Sequence, residues 1–266
     1  MMRALWTAGG GMIAQQYNVD VISNNLANVN TTGYKKERAE FKDLLYETLD
    51  RAYIMNGSGK PVNLQVGHGA AALATVKNFT GGNLEKTDNA LDMAINGNAF
   101  FTIQGSSGQT VFTKDGSFKI SVTEEGNKLT TADGYPVLDE AGNHIVFNID
   151  PDKLQVSQQG ELSYVDENGA TISLEQKIGL VKFPNVQGLV SIGSNFFEQN
   201  SASGTPVLDS EVGIKSTISQ GFLESSNVQV VEEMVKLIVA QRAYEINSKA
   251  IQSADDMLGM ANNLKK

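Results

Sequence analysis

The 266-residue chain is 41% hydrophobic and 19% charged and has no cysteine, which excludes a disordered chain, a disulfide scaffold and a thiolate metal centre. Its formal charge of −9 is unevenly placed: residues 1–60 and 227–266 carry 12 Lys and Arg against 11 Asp and Glu, whereas residues 61–226 carry 9 against 19. An acidic middle has the wrong sign for a nucleic-acid backbone or an anionic membrane, while near-neutral ends can meet like copies at little Coulomb cost.

At the N-terminus, Leu5, Ala8, Met12, Gln15, Val19, Ile22 and Leu26 fall at alternating spacings of three and four, a heptad seam that predicts an amphipathic helix. Gly9, Gly10 and Gly11 lie inside it, each costing about 1 kcal/mol against Ala in a helix interior, so partners have to supply its order. Gln15 and Gln16 interrupt the apolar patch, so it lacks the continuous core of a secretory signal, and export would follow an uncleaved route. From Ala27 to Gly33 the chain is rich in residues that compete for backbone hydrogen bonds, which predicts the helix end. The stretch from Tyr34 to Leu49 reads equally as a short helix or an extended connector, and Gly57, Ser58, Gly59 and Pro61 read as a loop.

Residues from about 62 to 222 read as antiparallel β-structure, closed or sandwiched. Short runs such as Phe100–Ile103, Ser117–Ile120, His144–Phe147 and Ile178–Val181 alternate with turns at Asp115-Gly116, Asp133-Gly134 and Asn168-Gly169. The last forty residues change character. Ser226 and Gln229 have capping-box spacing, Glu232 with Lys236 and Glu245 with Lys249 have i,i+4 spacing, and a helix over about 227–262 follows. Its apolar residues, among them Val231, Met234, Val235, Leu237, Ile238, Ile246, Ala250, Met257 and Leu264, spread beyond one narrow seam, as in a helix contacted on several sides. The fold class expected is α+β: N- and C-terminal helices packed together in coiled-coil fashion, with an inserted β-rich antiparallel domain. The boundaries are 1–75 and 225–266 for the terminal assembly domain with its connector, and 76–224 for the middle domain.

Chemistry-bearing motifs are scarce. His68 and His144 stand far apart in sequence, and with no cysteine a metal cluster would depend wholly on carboxylates. Gly57-Ser58-Gly59-Lys60 departs from a phosphate loop at Ile54 and Pro61, and Gly67-His68-Gly69 with Ala72 leaves no room before Gly81-Gly82 for the helix a dinucleotide site needs. Asp166-Glu167-Asn168-Gly169 lacks the alternating ligands of a calcium loop and reads as a hairpin turn. No catalytic residue, cofactor site or metal site is assigned. Trp6 and Tyr244 read as packing residues.

Ser23-Asn24-Asn25-Leu26-Ala27-Asn28, continuing through Val29 to Gly33 and Tyr34, resembles the N-terminal signature of bacterial flagellar rod and hook proteins. Arg3-Ala4-Leu5-Trp6, Phe41 through Tyr46, Asp92 through Phe101 and the block from Gln241 to Ala250 are similar to the same family, so the resemblance covers nearly the whole chain. It is strongest to the distal-rod branch, on Leu44 through Thr48 and the insertion running to Val66, with the rod paralogue of similar length as the alternative. The resemblance implies a non-enzymatic subunit of the basal body in the cell envelope. Export would use the flagellar type III apparatus, with helical self-assembly and contacts to other rod subunits, the hook protein and surrounding rings, and no membrane insertion.

Periodicity alone allows the helices to pair within one monomer or between copies; the resemblance favours polymer contacts. The expected self-assembly residues are Leu5, Met12, Val19, Ile22 and Leu26 against Met234, Leu237, Ile238, Tyr244 and Ile246, with the helices lining an inner tube and the β domain outside. A peptidoglycan hydrolase and a glycan-binding module are weaker alternatives, since neither accounts for two helical ends.

Overall fold

In a computed structural model of the chain, the described residues are 2–50, 52–55, 58–60, 63–123, 126–150, 153–166, 170–213 and 215–263. Gly57, Pro61, the Glu167-Asn168-Gly169 turn and Leu264, singled out above, lie outside them. The chain divides into two units. The first holds residues 1–27, 37–77 and 229–266, and the second residues 28–36 and 78–228.

In the first unit, helix α1 (Met2–Ala27) packs on helix α2 (Val230–Asn263). The glycine run stays helical, and the contact explains one of its members. A Cβ on Gly11 would stand 2.8 Å from Asn247 Nδ2, whereas one on Gly10 would meet the Ala70 carbonyl oxygen at an ordinary 3.7 Å. Ala8 and Ala14 are buried on α1, and Ala240 and Ala254 on α2, so the helices approach through small side chains. Asn25 meets Glu233 near one end and Gly11 lies opposite Asn247 further along, which sets an antiparallel register. The capping box expected at Ser226 does not start α2: the Ser226 hydroxyl accepts from Val228 N at 3.3 Å, and the helix begins at Val230 with Glu232 and Glu233 in its first turn. Acidic side chains there complement the helix dipole. Lys236 pairs with Glu232 at 2.7 Å as its spacing implied, whereas Glu245 pairs with Arg242 at 2.7 Å rather than with Lys249.

The ambiguous connector is extended. Strands β1 (Glu37–Asp43), β2 (Tyr46–Asp50), β3 (Tyr53–Met55), β4 (Ser58–Lys60), β5 (Leu64–Gly67) and β6 (Ala70–Lys77) pair antiparallel as β1 with β6, β2 with β5 and β3 with β4. They form one long two-stranded ribbon in which Ser58–Lys60, read from sequence as loop, is strand.

The second unit is β-rich and antiparallel, but it is built of several small sheets rather than one closed barrel. The largest has six strands in the spatial order Val190–Gly193, Phe196–Glu198, Thr110–Thr113, Phe100–Gln104, Leu180–Lys182 and Val207–Leu208. Alternate residues of Phe100–Gln104 feed different clusters. Phe101 joins Met93, Phe118, Leu129 and Ile178, whereas Phe100 joins Phe112, Phe183 and Phe197 in edge-to-face contacts. Three expected strands begin two residues later than the sequence suggested, at Lys119, Val146 and Leu180, because Ser117, His144 and Ile178 make only single bridges, to Asp92, Leu138 and Asp139.

Candidate assembly surfaces and the polar clamp at the helix ends

Of the α1 seam, Ile22 is buried and Leu5, Met12, Val19 and Leu26 are half-buried. On α2 the inward positions are Glu233, Leu237, Ala240, Ala243, Asn247, Ile251, Ala254 and Leu258, a run at spacings of three and four made largely of small or polar residues. Among the expected α2 residues Leu237 alone lies on that face. Met234, Ile238, Tyr244 and Ile246 are 49%, 55%, 41% and 66% exposed. The α2 seam was missed in the sequence because alanine and asparagine carry little hydrophobic signal, while Val231, Val235, Val239 and Ile246 look like core and face outward.

Of the 26 large hydrophobic side chains exposed among the described residues, 21 belong to the first unit. On α1 they include Trp6, Ile13 and Tyr17, on α2 Val231, Val235, Ile238, Val239 and Ile246, and on the ribbon Leu45, Tyr46, Leu49, Leu64 and Leu73. A groove of about 360 Å³ lined by Gln16, Val19, Gln241, Tyr244 and Glu245 runs between the helices.

The signature residues at the end of α1 have separable roles. Asn25, fully buried, donates from Nδ2 to the Glu37 carbonyl at 2.7 Å and to Glu233 Oε2 at 3.1 Å, and its Oδ1 accepts from Glu37 N at 2.8 Å. One amide thus ties α1 to β1 and to the first turn of α2. Ser23, Asn24 and Ala27 are exposed. In the second unit, Asn28 Oδ1 accepts from the Thr31 hydroxyl at 3.2 Å. Gly33 has φ +68°, and a Cβ there would stand 2.7 Å from Asp115 N, so both backbone and space demand glycine.

His68 Nδ1 contacts the Leu45 carbonyl at 2.8 Å in the first unit and His144 Nε2 contacts Gln104 Oε1 at 2.6 Å in the second. Among the described residues no three His, Asp or Glu side chains gather to hold a metal ion, and no described helix is long and apolar enough to cross a membrane. In the second unit Lys114 is buried, with Nζ 2.7 Å from the Gly97 carbonyl and 5.2 Å above the Phe100 ring. Burial pulls its pKa down to about 8, against the attraction of Glu224. Burial also raises the neighbouring Asp115 carboxyl, against the hydrogen bonds it accepts from Ser117.

Three family models match along the chain: the flagella basal body rod protein model over residues 5–35, the flagellar hook protein FlgE/F/G D1 domain over 94–164, and the flagellar basal body rod FlgEFG protein C-terminal model over 219–264. The chain is 47% identical over 276 residues to the flagellar basal-body rod protein FlgG of Borreliella burgdorferi, with all of both chains covered. It is 40% identical to that of Agrobacterium fabrum, covering 99% of this chain and 100% of the relative. It is also 36% identical to that of Bacillus subtilis, again covering both chains fully. The crystal structure of the Helicobacter pylori flagellar hook protein FlgE2 aligns at 17% identity over 62% of this chain and 47% of that one, with a TM-score of 0.24, too low to bear on the fold. With full-length identity at this level and a matching model at each end, the chain belongs to the flagellar basal-body rod protein family.

Proposed function

We propose that this chain is a structural subunit of the distal flagellar rod, polymerising helically into the shaft that carries torque from motor to hook. The observation that carries the reading is the segregation of exposed apolar surface. The first unit holds 21 of 26 exposed large hydrophobics among the described residues, a concentration of the kind that marks an interaction surface. At about 25 cal/mol per Å² of apolar area, covering such faces in a neighbouring copy gives each contact a modest free energy, and a helical lattice repeats it along the shaft.

In this reading Met234, Ile238, Tyr244 and Ile246 contact other copies, while Leu5, Met12, Val19, Ile22 and Leu26 hold the α1–α2 pair in shape, with Leu237 opposite them. The pairing is coiled-coil-like, as the spacing of the inward residues and the constant register from Asn25–Glu233 to Gly11–Asn247 support. The partners are copies of the chain, adjoining rod subunits, the hook protein and the surrounding rings. The chain performs no catalysis, and its place is the basal body, reached by export without a cleaved signal. The test replaces Ile238 and Ile246 by Asp in the full chain. Both are more than half exposed, so the monomer keeps its circular dichroism and melting temperature while sedimentation and electron microscopy show loss of polymer. Polymers of wild-type length from a folded double variant would reject the reading.

A further inference from the structure

Three chain segments far apart in sequence meet in the second unit through polar groups, of which Lys35 and Glu224 are buried and Asn227 half-buried. Lys35 is 1% exposed; its Nζ donates to Glu224 Oε1 at 2.6 Å and to the Thr80 carbonyl at 3.0 Å. The same Oε1 accepts from Gly82 N at 2.7 Å, and the Glu224 carbonyl accepts from Gly33 N at 2.8 Å. Asn227 repeats the pattern: its Oδ1 accepts from Lys36 N at 2.8 Å, while Nδ2 donates to the Asn78 and Thr80 carbonyls at 2.9 and 3.1 Å. Lys36 closes the circle by accepting from Asn78 N at 2.8 Å. Residues 33–36, 78–82 and 224–227 are therefore satisfied largely by one another.

This arrangement is all-or-none. Thr80 O serves both Lys35 and Asn227, and Glu224 Oε1 serves both Lys35 and Gly82, so withdrawing one segment strands buried donors and an ion on the other two, which water then has to reach. It also closes a long loop: Lys35 and Glu224 are 189 positions apart, so the contact bears the closure entropy of the intervening chain unless that chain is already ordered. The chain crosses between its two units at 27/28, 36/37, 77/78 and 228/229, the last three next to Lys36, Asn78 and Asn227.

We infer that Lys35, Glu224 and Asn227 form a conformational latch in which residues 33–36 and 224–227 open and close as one unit against residues 78–82, which Phe79 anchors to Phe100 and Phe197 at 5.5 and 5.3 Å, without unfolding the phenylalanine core. The latch makes the N-terminal connector conditional on the C-terminal one and gives the molecule an opening below global unfolding.

Hydrogen exchange on the full chain tests it. In the wild type at low denaturant, the amides of Gly33, Lys36 and Gly82 exchange with one common opening equilibrium, distinct from that of Thr102 and Leu138 in the core. Asn227→Ala speeds Lys36 and also Gly82, which Asn227 does not touch, by about tenfold or more, with Thr102 changed less than about twofold. Glu224→Gln does the same to all three. Independent rates at the three amides in the wild type would overturn the latch even if neither variant folds. Equal acceleration of latch and core in a folded variant would overturn it as well, by making the cluster an ordinary part of the global fold.

Discussion

Lys114 gives the second unit a stability profile that runs against the usual expectation for alkaline conditions. Its side chain is 2% exposed and its ammonium has one carbonyl and one ring for company. The pKa falls from 10.5 to about 8, first by burial and then by Lys35 and Lys182, with Glu224 pulling the other way. Below pH 8 the lysine is protonated in both folded and unfolded chains, and the folded state bears the full penalty of the buried charge. Between pH 8 and 10.5 the unfolded chain holds a proton that the folded chain has released, so unfolding takes up a proton and stability rises with pH. The difference of about 2.5 units is worth about 3 kcal/mol over that window.

Lys114→Met removes this slope. Its absolute effect is small, because the relief of about 3 kcal/mol is offset by about 1–3 kcal/mol for leaving the Gly97 carbonyl unpaired and about 1–2 kcal/mol for the lost ring contact. The decisive measurement is therefore the urea unfolding free energy of wild type and variant, followed by circular dichroism at intervals from pH 7 to 10.5. The wild type gains on the variant by about 3 kcal/mol across the window. Curves that stay parallel would refute the assignment of a buried, proton-losing lysine.

Asn25→Ala removes the side-chain partner of the Glu37 amide and carbonyl and of Glu233 Oε2, while Glu233 Oε1 keeps Lys236 at 3.2 Å, and lowers the unfolding free energy of the first unit by about 2 kcal/mol. Asn25→Asp restores at most part of it, because the new carboxylate faces that of Glu233. Gly33→Ala forces a side chain into the left-handed region and against Asp115 N, costing about 2 kcal/mol or more in denaturant titration. Gly9→Ala finds nothing within 4 Å of the new Cβ and stabilises α1 by up to about 1 kcal/mol; Gly11→Ala, which has to displace Asn247, gains less. Asp115→Asn removes a carboxyl raised by burial. Such a group binds more protons folded than unfolded, so the wild type loses stability as pH climbs from the ordinary carboxylate range through the raised value, and the variant melts without that loss.

The two helical ends were legible because a heptad seam and a glycine-poor, proline-free C-terminus are local signals, and the antiparallel β character was legible from strand and turn composition. Which side of α2 meets α1 is not legible in the same way. The close approach to α1 selects Ala240, Ala243, Asn247 and Ala254, which carry little hydrophobic signal, and leaves Met234, Ile238 and Ile246 at the surface, in keeping with apolar residues that spread beyond one seam. The capping-box spacing at Ser226 failed because Asn227 is drawn toward Lys36, Asn78 and Thr80, delaying the helix start. The strands between Glu37 and Asp50 were ambiguous because their ribbon is mostly exposed, so burial imposes no alternation on the sequence. Asn25 stands out in the sequence only as part of the family signature, because its partners Glu37 and Glu233 come from other segments and no local pattern announces them.

The antiparallel register also has a mechanical consequence. With Asn25 opposite Glu233 and Gly11 opposite Asn247, the two helices run side by side over 14 residues between those points, about 21 Å at 1.5 Å per residue. Over that length a pull along either helix is taken as shear spread over many small contacts, those of Ala240, Ala243 and Asn247 among them. The pair thus resembles a lap joint rather than a butt joint: it yields only when a whole row of contacts slides at once.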